Sequence, residues 1–295
     1  MQKLSNKIIY CWICDFSSKS GEGNLARLFI KKQIKRKKII SPKIILKKKT
    51  IFNHKYVLPF LGLIFCWYYF FKNKKVAYIN YLPLWNFIIF LLLPPNSILG
   101  PITGGAHFSK GDGYIIRKYI FPFFYKISEI IILLRYEKPI FATNLLEKYL
   151  YKKTINKSIF NFVFNHVRKR EKVKKKIDFL IYYKNHKNKK KLYNFNIIKK
   201  LIKLKFKIYV VGDKMEGSKF INLGFIKKTK LNYLLDRTKY SIVSEENIFS
   251  LYTLDCINSN VKIVITKKNK IKINKFSENF IFVKSHLKDL RNKLR

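Results

Sequence analysis

The sequence predicts an α/β protein of two doubly wound domains, on three observations. Short apolar runs rich in Ile, Val, Phe and Tyr alternate with longer helical patterns, as parallel strands joined by crossover helices do. Hydrophobic residues make up 48% and aromatics 16% of the 295 residues, which supplies packed cores and excludes a disordered chain. A basic stretch with almost no apolar content, Asn165 to Lys176, interrupts the alternation near its middle and reads as a connector. The expected organisation is an N-terminal domain over 1–164, a linker over 165–176 and a C-terminal domain over 177–295, with a cleft between the two domains. In doubly wound sheets ligands bind outside the carboxyl ends of the strands, so chemistry is sought there.

Taken in order, the opening MQKLSNKIIYCWICDF holds an apolar run only from Ile8 to Cys14 before Asp15, which is a strand and not a signal peptide. A small-residue loop with Asp15, Gly21, Glu22 and Gly23 then opens a helix near Leu25. The run Tyr56 to Phe71 reaches about 16 residues, short of the roughly 20 of a spanning helix, and carries Pro59 and Gly62. Two readings stay open for it, a core helix or a peripheral membrane contact. Trp67, Tyr68 and Tyr69 beside Lys72, Lys74 and Lys75 have the character of an interfacial anchor. Leu82 to Pro95 is a second short apolar run. Further N-terminal strands are expected at Val76–Asn80, Ser97–Ile102 and Pro139–Thr143.

The C-terminal half alternates more regularly. Strands are expected at Ile177–Tyr183, Phe206–Val211, Phe220–Phe225, Tyr240–Val243, Val261–Ile265 and Phe280–Val283. Helices are expected at Leu192–Leu204, Leu231–Asp236, Phe249–Asn258 and from Leu287 onward.

Composition bounds the partners. Lys and Arg number 63 against 16 Asp and Glu, a formal charge of +47. Only nine of the basic residues are Arg, and the lysines run through the whole chain without base-reading or zinc-finger spacing. That pattern does not specify nucleic acid, because a spread positive surface suits anionic lipid or an anionic substrate equally well. Cys11, Cys14, Cys66 and Cys256 are too few for a disulfide scaffold and lie in apolar runs, as buried reduced thiols do.

Candidate sites lie at strand ends. Gly21, Glu22 and Gly23 let a ligand approach backbone at a helix start. In LGPITGGAHFSKGDG, five of the eleven glycines fall between Gly100 and Gly113, among them Gly104 and Gly105, with His107 at the centre and Asp112 near it. Such density is entropically costly and is tolerated where backbone nears a ligand. Lys184, His186, Lys187 and Lys189 follow a strand. VVGD ends another at Gly212 and Asp213. In SEENIFSLYTLDCI, Asn247 is expected to cap the helix, with Asp255 two turns along the same face.

This C-terminal series resembles the donor-binding domain of GT-B nucleotide-sugar glycosyltransferases, especially the retaining ones, over about residues 177–265. Their E-x7-E motif corresponds here to N-I-F-S-L-Y-T-L-D, with Asn247 replacing the first acid and Glu246 adjacent. The resemblance implies two Rossmann-like domains and a nucleotide-sugar donor. It implies that Asp255 holds the ribose hydroxyls, that the backbone of Ile248, Phe249, Ser250 and Leu251 meets the distal phosphate, and that Asn247 or Glu246 lies against the sugar. Lys184 and Lys189 match the paired cations that neutralise the leaving diphosphate, and Gly212 and Phe225 belong to the donor side. Gly21, Glu22, Gly23, Gly104 and Gly105 fall in acceptor-side loops, and His107 is a catalytic candidate beside the donor sugar.

Cofactor and metal are not expected, since the nucleotide sugar is a co-substrate and fixed cations stabilise the departing diphosphate. The implied acceptor is a saccharide or lipid-linked molecule of cell-surface polysaccharide or lipopolysaccharide synthesis, reached from the cytoplasm at an anionic inner membrane face. Two alternatives stand beside it: a non-catalytic nucleotide- or saccharide-binding relative, and a basic nucleic-acid-binding protein.

Overall fold

The computed structural model describes residues 8–17, 20–40, 57–80, 82–104, 115–163, 173–185, 193–245, 248–267, 276–284 and 286–294. The chain divides into two compact units, one of the described residues through Val163 and one of those from Val173 onward.

The first unit begins with β1 (Ile9–Ile13), α1 (Gly21–Gln33) and β2 (Lys37–Ile40). The helix α2 (Leu58–Phe71) leads to β3 (Lys75–Ile79), followed by β4 (Leu82–Pro83), α3 (Phe87–Leu92), β5 (Ile98–Leu99) and β6 (Ile102–Thr103). A π-helical turn, Ile116–Ile120, runs into α4 (Phe121–Arg135), and α5 (Lys152–Lys157) follows. Four parallel strands form a sheet in the order β2-β1-β3-β5. Alternation along the strands feeds two cores: Trp12 and Tyr78 face α2, while Cys11, Ile13, Ala77 and Ile79 face α1, Phe29 and Ile30. Burial on both faces is why these strands read as continuous apolar runs.

Two expectations for this unit are corrected. Ser97–Ile102 is not one strand: Gly100 and Pro101 break it into β5, in the main sheet, and β6, which pairs with β4. Proline lacks the amide a continuing ladder needs. Pro139–Thr143 is likewise no full strand, making only single bridges at Ile140 and Phe141. Strand β2 was not foreseen. Its lysines, exposed at Lys37 and Lys38, hide it in a charge run and also protect a sheet edge.

The second unit holds β7 (Ile177–Tyr183), α6 (Phe195–Lys203), β8 (Ile208–Gly212), β9 (Phe220–Gly224), α7 (Lys228–Asp236), β10 (Thr238–Ile242), α8 (Leu251–Asn258), β11 (Lys262–Thr266), β12 (Phe280–Val283) and α9 (Leu287–Lys293). Six parallel strands run in the order β12-β11-β10-β7-β8-β9. The chain builds outward from β7 to β9 on one side, returns, and builds from β10 to β12 on the other. This is the Rossmann order, with its topological switch between β7 and β10. One core joins β7, β8 and α6 through Phe179, Ile181, Val210, Ile197 and Leu201, with Leu290 from α9.

Candidate functional site

The switch of the second unit is assembled by buried polar bonds. The Ser241 hydroxyl of β10 and the Tyr252 hydroxyl of α8 both donate to the Leu180 carbonyl of β7, at 2.7 and 2.9 Å. They seat α8 against the sheet beside the crevice. Burial raises the Tyr252 phenol well above its ordinary pKa, so it stays a donor. The Thr266 hydroxyl donates to Glu245 Oε1 at 2.7 Å, tying the segment after β10 to the end of β11.

Lys184 and Asn185 follow β7, both exposed. Their position depends on Asp213: its Oδ2 accepts from the Asn185 amide at 2.6 Å, and its own amide donates to the Tyr183 carbonyl at 3.0 Å. Gly212 makes this close approach possible. Its φ is +100°, and a Cβ there would lie 2.3 Å from the Tyr183 carbonyl oxygen. The role of Asp213 was not read from sequence, where a loop Asp after glycine signals only a turn.

Across the switch, Ile248 and Phe249 are buried, so that segment presents backbone and Ser250 rather than large side chains. The expectation that Asn247 caps the helix is corrected. Ser250 is the cap of α8, its Oγ accepting from the Thr253 amide at 3.2 Å, because the helix starts at Leu251. Asp255 lies on α8 and pairs with Lys228 at the start of α7. Phe225 follows the edge strand β9 and is 75% exposed. The order of the strands thus brings together Lys184, Gly212 and the Ile248–Leu251 segment at one sheet edge. Lys189, Glu246 and Asn247 lie outside the described residues, as do His107 and Gly105.

The first unit has its own switch between β1 and β3, and a cavity of about 20 Å³ opens there, lined by Asp15, Glu22, Ala26, Asn80, Pro101 and Thr103 among others. This is room for one water-sized group such as a hydroxyl. Asp15 organises the loop: its Oδ1 accepts from the Ser17 amide at 2.8 Å, and its Oδ2 accepts from the Ser20 hydroxyl. Ser20 in turn caps α1, accepting from the Gly23 amide at 2.9 Å. Gly23 is required there, since a Cβ would lie 2.2 Å from the Ser17 carbonyl oxygen. Gly21 begins α1 and Gly104 follows β6 with φ +118°. Glu22 stands at the rim of the cavity. Desolvation, reinforced by the Asp15 charge, holds its carboxyl above the ordinary carboxylate pKa. The buried Thr103 hydroxyl finds no hydrogen-bond partner among the described residues.

No protein-family model and no curated protein matches the sequence. Solved structures do match over nearly the whole chain. A glycosyltransferase from Rickettsia africae ESF-5 aligns with a TM-score of 0.53 at 13% identity, covering 98% of this chain and 87% of that one. The UDP-GlcNAc 2-epimerase from Neisseria meningitidis bound to UDP-GlcNAc gives 0.49 at 9% identity over 97% and 89%. Phytolacca americana UGT2 complexed with UDP-2fluoro-glucose and pterostilbene gives 0.45 at 8% identity over 88% and 80%. The first likeness, together with the four- and six-stranded parallel sheets, shows the glycosyltransferase-like GT-B fold that the sequence predicts.

Proposed function

We propose that this chain is a glycosyltransferase that binds a nucleotide sugar at the switch of its second unit and transfers the glycosyl group to a saccharide or lipid-linked acceptor held by the first. One observation carries the reading: strand order brings a cation, Lys184, and the turn before α8 to the same crevice edge, where doubly wound sheets bind nucleotides. In this reading the amides around Ser250 meet the distal phosphate and Asp255 takes the ribose hydroxyls. Lys184, with Lys189, offsets charge on the diphosphate as its bond to the sugar breaks. Asn247 or Glu246 contacts the sugar, and His107 remains a candidate beside it. Glu22 takes the proton from the acceptor hydroxyl, a role suited to a carboxylate of raised pKa. Thr103 offers that hydroxyl a hydrogen bond. The pathway we assign is cell-surface polysaccharide or lipopolysaccharide synthesis, at the cytoplasmic face of the membrane.

The test is a thermal-shift and transfer assay with nucleoside diphosphates and their sugars at fixed salt. A ligand at a hundred times its Kd stabilises by about 2.7 kcal/mol. One nucleotide series is expected to stabilise the wild type, and Lys184→Ala and Asp255→Ala to lose the shift. Lys228→Ala should keep it, because it removes one cation paired with Asp255 and leaves the carboxylate itself in place. Glu22→Gln should bind donor normally and transfer nothing. No shift with any nucleotide overturns the reading. Binding without turnover makes the chain a non-catalytic relative.

A further inference from the structure

Helices α2, α3 and α4 of the first unit are apolar on two faces, and only one of these is used by the core. The inner faces bury Leu63 and Cys66 from α2, Phe90 from α3, and Tyr125 and Ile132 from α4. The outer faces carry a second set of stripes at helical spacing. On α2 they are Phe60, Ile64, Tyr68 and Phe71; on α3, Ile88, Leu91 and Leu92; on α4, Phe123, Ile130 and Leu134. Phe71 is 75% and Leu134 81% exposed. These stripes form one surface, because the helices pack side by side. The Trp67 indole of α2 donates to the Leu92 carbonyl at 2.7 Å, and the Phe87 and Phe124 rings of α3 and α4 stack at 5.5 Å. An ordinary surface helix shows water a polar face, and a contiguous apolar surface of this kind marks an interaction site.

Charge selects the partner. Between Val57 and Arg135 the sequence has two carboxylates, Asp112 and Glu129, against eight Lys or Arg. Glu129 is fully buried and engaged by Lys126, the Tyr151 amide and Thr154. The rim of the apolar face is therefore cationic: Lys72, Lys74 and Lys75 at the end of α2, Arg117 and Lys118 before α4, and Lys126 on it. Lys72 bonds the Tyr68 hydroxyl at 2.5 Å, and Lys118 lies 4.8 Å from the Tyr119 ring centre, so rings with polar tips alternate with ammonium groups along this rim. A second copy of the chain would bring the same cationic rim and +47 of like charge against it. No helix among the described residues is long and apolar enough to cross a membrane.

We propose that the outer face of α2, α3 and α4 docks on an anionic lipid bilayer, its apolar stripes entering the headgroup–acyl boundary and its lysines meeting lipid phosphate. The helices lie in the interface plane and do not span it. The face is read from its own residues and stands whatever reaction the chain performs.

The experiment is sedimentation of the full chain with vesicles of phosphatidylcholine, alone or with about one quarter phosphatidylglycerol, at physiological salt. Phe123→Glu/Leu134→Glu is compared with Leu287→Glu/Tyr233→Glu, which makes the same charge change on the second unit. Binding to the anionic vesicles is expected, with at least about a tenfold loss in the first double variant and little change in the second. Bromine-labelled acyl chains should quench tryptophan fluorescence of the wild type, a readout that needs no variant. Equal binding by the two double variants, or no quenching on bound vesicles, would mean that net charge alone holds the protein there and overturns the proposal. So would the absence of binding, or a wild-type dimer in solution that Phe123→Glu/Leu134→Glu dissociates.

Discussion

Glu22 and Glu129 are both carboxylates in helices of the first unit, and their surroundings give them opposite consequences. Glu22 has desolvation and the Asp15 charge against it, so its folded pKa lies above its unfolded one. Such a group favours the folded state while protonated, and that contribution is lost as pH rises through the folded value. Glu22→Gln, which mimics the protonated form, should therefore melt higher than wild type at neutral pH. The difference should vanish below the ordinary carboxylate range, as a thermal-denaturation series against pH would read. Glu129 instead holds α4 to α5, accepting from the Tyr151 amide at 2.6 Å and from the Thr154 hydroxyl. Glu129→Ala strands both donors in the interior and should cost about 1–3 kcal/mol in chemical denaturation. Lys126→Ala leaves the Tyr151 and Thr154 bonds to Glu129 in place and should cost less than Glu129→Ala.

At the scale of elements, the crevice edge of the second unit depends on how β7 and β8 end. The ladder pairs Tyr183 with Gly212, and the next residue, Asp213, turns back to hold the Asn185 amide. Gly212→Ala meets two obstacles at once, a left-handed φ and a carbonyl oxygen in the space of its Cβ. It should destabilise by at least about 1–3 kcal/mol and displace Lys184. The expected readout is a lowered melting temperature together with weakened nucleotide binding. Asp213→Ala, by contrast, loosens the loop while leaving the ladder intact, so it should weaken binding with a smaller loss of stability.

For the whole molecule, the basic residues behind the charge of +47 run through the whole sequence and are not confined to one site. Polyanions will therefore adhere to it, and their binding should fall by about 10³ or more between low and physiological-range salt. Nucleotide-sugar binding, which rests on one or two cations and on backbone amides, should fall far less over the same range. A filter-binding titration at several salt concentrations, run with both ligands, separates the two. Nucleic-acid affinity that survives high salt would instead point to a dedicated nucleic-acid surface and away from the transferase reading.

The order of strands and helices was legible wherever a strand is buried on both faces, because continuous Ile, Val and Phe runs then stand out from their surroundings. Ile177–Tyr183 and Phe280–Val283 are strands over those same residues. The glycines and serines at strand ends were legible as turn chemistry for the same local reason. Local pattern failed where a partner distant in sequence decides. β2 is a strand because β1 offers it an edge, despite its lysines. Ser97–Ile102 splits because two sheets claim its halves, and α8 starts at Leu251, capped by Ser250, because buried Ile248 and Phe249 fix where the helix can begin. The meeting of Asp15, Glu22, Asn80 and Thr103 at one cavity spans far-separated positions and follows only from the packing of β1, β3 and α1. Sequence by itself determined the two α/β units, the apolar surplus of the α2 region and the excess of positive charge, since composition and periodicity are local. Only the tertiary structure decided which strands meet at each switch and which faces of α2, α3 and α4 remain open to solvent, since both are set by contacts between residues far apart in the chain.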